Sequence, residues 1–113
     1  MVKVGNICVG CYSYSMTIYN FYVVTKLTDK SITLEQVEKT QIGGDCFHPR
    51  VVPKIDYPNP YTAKCTPTGT KITRRLKAGK NFVGDESNYG IIYIDNPISA
   101  DQMKTGFQED HLD

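Results

Sequence analysis

Alternation of apolar and polar positions is clearest between Phe21 and Val37. The run Phe21-Tyr22-Val23-Val24-Thr25-Lys26-Leu27-Thr28 is dense in β-branched and aromatic residues, with Phe21, Val23, Thr25 and Leu27 as one alternating set. Asp29-Lys30 reads as a short polar turn. Ser31 to Glu35 then alternates cleanly, Ile32 and Leu34 on one face and Ser31, Thr33 and Glu35 on the other. The two runs predict a β-hairpin. Val37 falls out of that register, which predicts a bulge or the strand's end near Gln36.

Upstream, Gly5 to Gly10 reads as a first strand with Ile7 and Val9 toward the core, and Tyr12 to Asn20 as a polar, aromatic loop. Downstream, Gly43-Gly44-Asp45 breaks the chain. Pro49, Pro53, Pro58, Pro60 and Pro67 leave room for no long helix or central strand, only for a short edge strand at Val51-Val52. Regularity returns in the last third. Thr70 to Lys77 reads as a strand, Ala78 to Asn81 as a turn and Asn88 to Ile94 as a buried strand. Ala100, Met103 and Phe107 recur at helix-like offsets, which allows either a short helix starting at Ser99 or a frayed tail.

Five or six short strands with tight turns predict an all-β fold, a small SH3-like or partly open β-barrel. Its core spans about residues 4–38 and 70–95, with a Pro-rich excursion at 45–68, a tail at 99–113 and a short C-terminal helix as an option. One domain of 113 residues is expected. A chain this short buries roughly two-thirds of its unfolded surface, enough for one modest core.

Net charge is only +1, but it is unevenly spread. Residues 64–80 carry a local +6 with no acid, and residues 81–113 a local −6. No stretch approaches the ~18 consecutive apolar residues that span a bilayer. The N-terminus shows no signal-peptide pattern, so a cytoplasmic location and reduced thiols at Cys8, Cys11, Cys46 and Cys65 are expected.

Two stretches, Val4-Gly5-Asn6-Ile7-Cys8-Val9 and Phe21 to Leu34, resemble a family of small proteins encoded by bacteriophages and plasmids. That family shares a G-D-I-F-V … F-Y-x-V-V-K-x-T-x-K-S-V pattern. Thr73-Arg74-Arg75-Leu76 and Ser87-Asn88-Tyr89-Gly90 are similar to its basic strand and S-Y-G segment. The resemblance covers about residues 4–34 and 70–95, and the family's W-G-Y-D segment is replaced here by Tyr12-Ser13-Tyr14-Ser15. It implies a mobile-element origin and a non-enzymatic accessory role, with counter-defence inhibitors of the anti-CRISPR type as one example. It brings no catalytic residues.

Three constellations could carry chemistry. Cys8-Val9-Gly10-Cys11 is a C-x-x-C that Cys46 and His48 would formally complete as a zinc set, yet the second half lacks paired spacing. Residues three apart on a strand also face opposite ways. No metal or other cofactor is expected. No phosphate-cradling glycine loop or nucleophile and base pair is legible, so an enzyme is not expected.

The basic strand is the most suggestive feature. Extended, it places Lys71, Thr73, Arg75 and Lys77 on one face and Ile72, Arg74 and Leu76 on the other. Lys71, Arg74, Arg75, Lys77 and Lys80 could contact nucleic-acid phosphates, or could be solvated cations paired with Asp85, Glu86 or Asp95. Tyr12, Tyr14, Tyr19, Tyr57 and Tyr61 form a candidate protein-binding surface, because tyrosine buries much area at little entropic cost. Asp101, Glu109 and Asp110 could act as a partial phosphate mimic toward a defence nuclease. The leading expectation is a binding protein with a host or mobile-element protein as partner. A nucleic-acid-binding barrel is the second.

Overall fold

A computed structural model describes residues 1–14, 16–54, 67–85, 87 and 89–111, with the backbone alone for Tyr14 and Pro67. The partly open barrel forms: the described residues build nine strands and one short helix, in a curled half-barrel sheet and a small second sheet. The strands are β1 (Ile7–Tyr14), β2 (Met16–Leu27), β3 (Ser31–Val37), β4 (Lys39–Gly44), β5 (Pro49–Pro53), β6 (Pro67–Arg75), β7 (Phe82–Gly84), β8 (Gly90–Tyr93) and β9 (Phe107–Gln108). Helix α1 (Ala100–Thr105) precedes β9. The large sheet runs β6-β3-β2-β1-β8-β7 and the small one β4-β5-β9, all pairs antiparallel.

β1 and β2 are apolar in both phases of the alternation because both faces of the large sheet are covered at its centre, which makes strands read as near-continuous apolar runs. On the concave face Cys8, Tyr22, Val24, Ile32, Leu34, Ile72, Val83, Ile92 and Ile94 pack with Val2. On the outer face Ile7, Phe21, Val37, Val51 and Ile98 form a second cluster, flanked by Val9, Tyr19, Val23, Met103 and Phe107. The small sheet and α1 cover this outer face. Gly10 lets the concave side close, since a Cβ there would sit 3.0 Å from Tyr22 and 3.2 Å from Ile92.

The hairpin expected from Phe21 to Glu35 is β2–β3, with Val24 opposite Leu34. Two details differ from the expected faces. A bulge between Val24 and Lys26 splits the set Phe21, Val23, Thr25, Leu27, so Leu27 joins the concave cluster while Phe21 lies in the outer one. Val37 lies opposite Phe21 and is apolar because the outer face is covered there; the bulge near Gln36 occurs in the pairing with β6 instead.

Elsewhere the described residues are more regular than expected. Residues 12–14 and 16–20, expected as a loop, belong to the paired strands β1 and β2, with Cys11 opposite Tyr19. Val51-Val52 lies in the central strand of the small sheet rather than at an edge. Pro49 and Pro53 are tolerated because they occupy the two ends of β5, where missing N–H groups cost least, while Pro58 and Pro60 lie outside the described residues. The tail is docked: Ser99 caps α1 in a reciprocal capping box with Gln102, and β9 pairs Phe107 with Val51. Asp110 then bridges to Thr17 on β2. Among the described residues, no helix is long and apolar enough to cross a membrane.

Candidate nucleic-acid interface

β6 and β7 are the two edges of the large sheet, and curling brings them face to face. Arg74 spans the seam. Its Nε donates to the Gly84 carbonyl at 3.1 Å and its Nη2 to the Asp85 carbonyl at 2.9 Å. Arg74 is thus a structural cation, satisfying carbonyls that an open edge would leave to water. The Asp85 carboxylate is committed elsewhere: it is buried and accepts from the Ser87 N–H and Oγ, both at 2.7 Å. Asp85 is therefore not a solvent-facing turn acid.

Beside this seam lies a cleft of about 360 Å³ lined by Arg74, Arg75, Lys77, Lys80, Phe82 and the Val83-Gly84 end of β7. Four of the five cations expected to act together meet here. The fifth, Lys71, stands apart with its Nζ 3.7 Å from the Glu35 carboxylate. Arg75, Lys77 and Lys80 are exposed, and among the described residues none has a carboxylate within ion-pair distance. Lys80 Nζ sits 5.7 Å from the centroid of the Phe82 ring.

Phe82 leads to a second feature. It lies directly opposite Tyr93 in the β7–β8 pair, while the adjacent pair Val83 and Ile92 points into the concave core. Phe82 and Tyr93 therefore share the outer face, where they are 37% and 38% exposed. Directly opposed residues have Cβ atoms roughly 5 Å apart. Past Tyr93 the outer face dips into a cleft of about 370 Å³ that Val9, Tyr19, Asp95 and Phe107 help to line. The Tyr19 and Phe107 rings are 5.2 Å apart, and Phe107 lies 5.5 Å from Phe21, so this wall is anchored in the outer core cluster. An aromatic track crosses the strands at right angles, from basic seam to acidic cleft.

The other expected site residues scatter. Tyr12 makes an edge contact with Tyr89 at 6.3 Å. Tyr57, Tyr61 and the Tyr14 side chain lie outside the described residues. Asp101 is exposed in the first turn of α1.

Glu109 is not an exposed tail acid. Only 2% accessible, its carboxylate accepts from the Tyr19 N–H at 2.8 Å and Lys39 Nζ at 2.7 Å, and meets His111 Nε2 at 2.9 Å. Burial acts to raise its pKa, but the bonds from Lys39, His111 and Tyr19 outweigh it and the net shift is downward. Asp110 exchanges backbone bonds with Thr17, and its carboxylate lies 3.9 Å from His48. Glu109 is thus a structural clasp, and the backbone at Glu109 and Asp110 is docked against Pro49 and Thr17.

The three described cysteines do not assemble. Cys8 is buried in the concave cluster, Cys11 is opposite Tyr19 with its side chain on the other face, and Cys46 is exposed between β4 and β5. Cys65 lies outside the described residues. Among those residues no three His, Cys, Asp or Glu side chains gather as a metal cage.

Phe82, Tyr93 and Asp95 were not legible as a site in the sequence. β7 is three residues long, too short to show a period, and Tyr93 sits in a run that reads as wholly buried. Comparison with protein-family models, curated proteins and solved structures finds no match for the chain.

Proposed function

We propose that this protein binds single-stranded nucleic acid along the track from the β6–β7 seam across β7 and β8. One observation carries the reading. Phe82 and Tyr93 are directly paired and exposed on one face, beside Arg75, Lys77 and Lys80, which have no carboxylate partner among the described residues. Exposed aromatic rings offer stacking worth about 1–3 kcal/mol per base, and neighbouring cations track the phosphates. A duplex hides its base faces, so stacking selects single strands.

The magnitudes suit a moderate binder. Three phosphate contacts on a single strand give a slope of about −2 in log affinity against log salt. Two stacked bases add roughly 2–6 kcal/mol that salt barely affects. The overall pI of about 7.6 fits such a local surface better than a uniformly basic domain. A partner protein gripped through an acidic phosphate mimic has less behind it, because Glu109 is consumed by Lys39, His111 and Tyr19. In the phage or plasmid setting implied by the sequence resemblance, the role is that of a cytoplasmic accessory binder without catalysis.

The test is fluorescence anisotropy with labelled single- and double-stranded oligonucleotides from low to physiological salt, beside an Arg75→Ala/Lys77→Ala variant. Single-strand binding with a shallower salt slope in the variant is expected. Absence of binding at low salt, or equal binding by the variant, overturns the reading.

A further inference from the structure

The aromatic track is electrically polar. Lys80, Lys77 and Arg75 flank its Phe82 end, while Asp95 lines the cleft at its Tyr93 end. Asp95 is partly buried, and among the described residues no cation lies within ion-pair distance of it. A lone carboxylate beside Tyr19 and Tyr93 repels phosphate, so it will not sit under the backbone of a bound strand. It can, however, accept hydrogen bonds from the edge of a base.

Resting on the single-strand reading above, we infer that this cleft receives one nucleobase and selects guanine through Asp95. The choice follows from donor patterns. A carboxylate is acceptor-only and presents two oxygens side by side. Guanine alone offers two adjacent donors, N1–H and the 2-amino group, on its Watson–Crick edge. Adenine and cytosine each set a donor beside a ring nitrogen lone pair, and thymine or uracil flanks its single N3–H with two carbonyls. Each of these would turn a lone pair toward a carboxylate oxygen. Gln102 also lines the cleft; its Oε1 accepts from the Ser99 N–H at 2.8 Å, and its amide NH₂ is the type of donor that guanine O6 requires. The volume of about 370 Å³ is within the range of small-ligand sites and holds a purine. The polarity also sets direction, with phosphates over the seam and the base edge toward Asp95.

The experiment measures anisotropy of an oligothymidylate of about twelve nucleotides and of the same strand with one central guanine, adenine, cytosine or hypoxanthine. Central guanine should tighten binding roughly tenfold over thymine. Hypoxanthine, which lacks the 2-amino group, should recover only part of that gain. In Asp95→Asn the guanine-to-thymine ratio should fall to about one, with a thermal melt as the check on folding. Thymidylate binding with no gain from guanine, or a guanine gain that survives in Asp95→Asn, overturns the inference and leaves the single-strand reading standing. No binding by any strand at low salt overturns both.

Discussion

Arg74 and Asp85 are joined across the seam of the half-barrel, Arg74 Nη2 donating to the Asp85 carbonyl at 2.9 Å. The neighbouring Arg75 points to the opposite face and is exposed. Two adjacent arginines therefore do different work, one closing the sheet and one facing solvent at the cleft.

Arg74→Ala should destabilise the fold by about 1–2 kcal/mol, since it removes charge-assisted bonds to two carbonyls. Arg75→Ala should stay within about 0.5 kcal/mol of the wild type, as substitutions of exposed surface residues do. Urea unfolding followed by circular dichroism compares them. Equal losses from the two variants would show that Arg74 does not hold the seam.

Phe82→Ala and Tyr93→Ala should each weaken single-strand binding by about 1–3 kcal/mol and leave the salt slope unchanged. Lys80→Ala should do the reverse, lowering the slope by about 0.7 with a smaller loss at high salt. Anisotropy titrations across a salt series separate these effects. An aromatic variant that changes only the slope would contradict the stacking role.

Glu109 ties acid stability to the docked C-terminus. Its folded pKa lies below the ordinary glutamate value, so the unfolded chain binds more protons in the window between them. Its contribution is complete above the unfolded value and is lost as pH falls through the lower folded one. Glu109→Ala should cost about 2–3 kcal/mol at neutral pH, because the Tyr19 N–H loses its acceptor and the partly buried Lys39 ammonium keeps only the Tyr19 carbonyl and loses its charge partner. The variant should also show a flatter acid limb in a plot of unfolding free energy against pH. An acid limb as steep as the wild type's would remove the assignment.

The thiols should divide by environment. Burial, with a smaller contribution from Asp95, pushes the Cys8 pKa up to about 12, so little reactive thiolate forms at neutral pH. Burial also raises the Cys11 thiol. Among the described cysteines, Cys46 is exposed and should alkylate first, Cys11 more slowly, and Cys8 only on unfolding. Iodoacetamide labelling followed by peptide mass mapping gives the order. Modification of Cys8 in the native protein would place it outside the core.

The local features of this protein are legible in its residue pattern. The β2–β3 hairpin was written in the alternation of Ile32 and Leu34 with Ser31, Thr33 and Glu35. The face of β6 carrying Lys71 and Arg75, and the turn before Phe82, were equally readable, although the strand ends at Arg75 and leaves Lys77 beyond it. These features have short range, because a period of two and a turn residue act on immediate neighbours. Which strands become adjacent, and which faces are covered, depends on contacts between residues far apart in the chain. Alternation divides Phe21 from Tyr22 but cannot say that both faces are buried, since the cover on the outer face comes from Val51 and Phe107, far along the chain. Glu109 reads as a solvated tail acid until Tyr19 and Lys39 supply its donors across 90 and 70 residues. The aromatic track is likewise built by pairing Phe82 with Tyr93 and curling β7 toward β6, so each of its members looked ordinary where it stood in the chain.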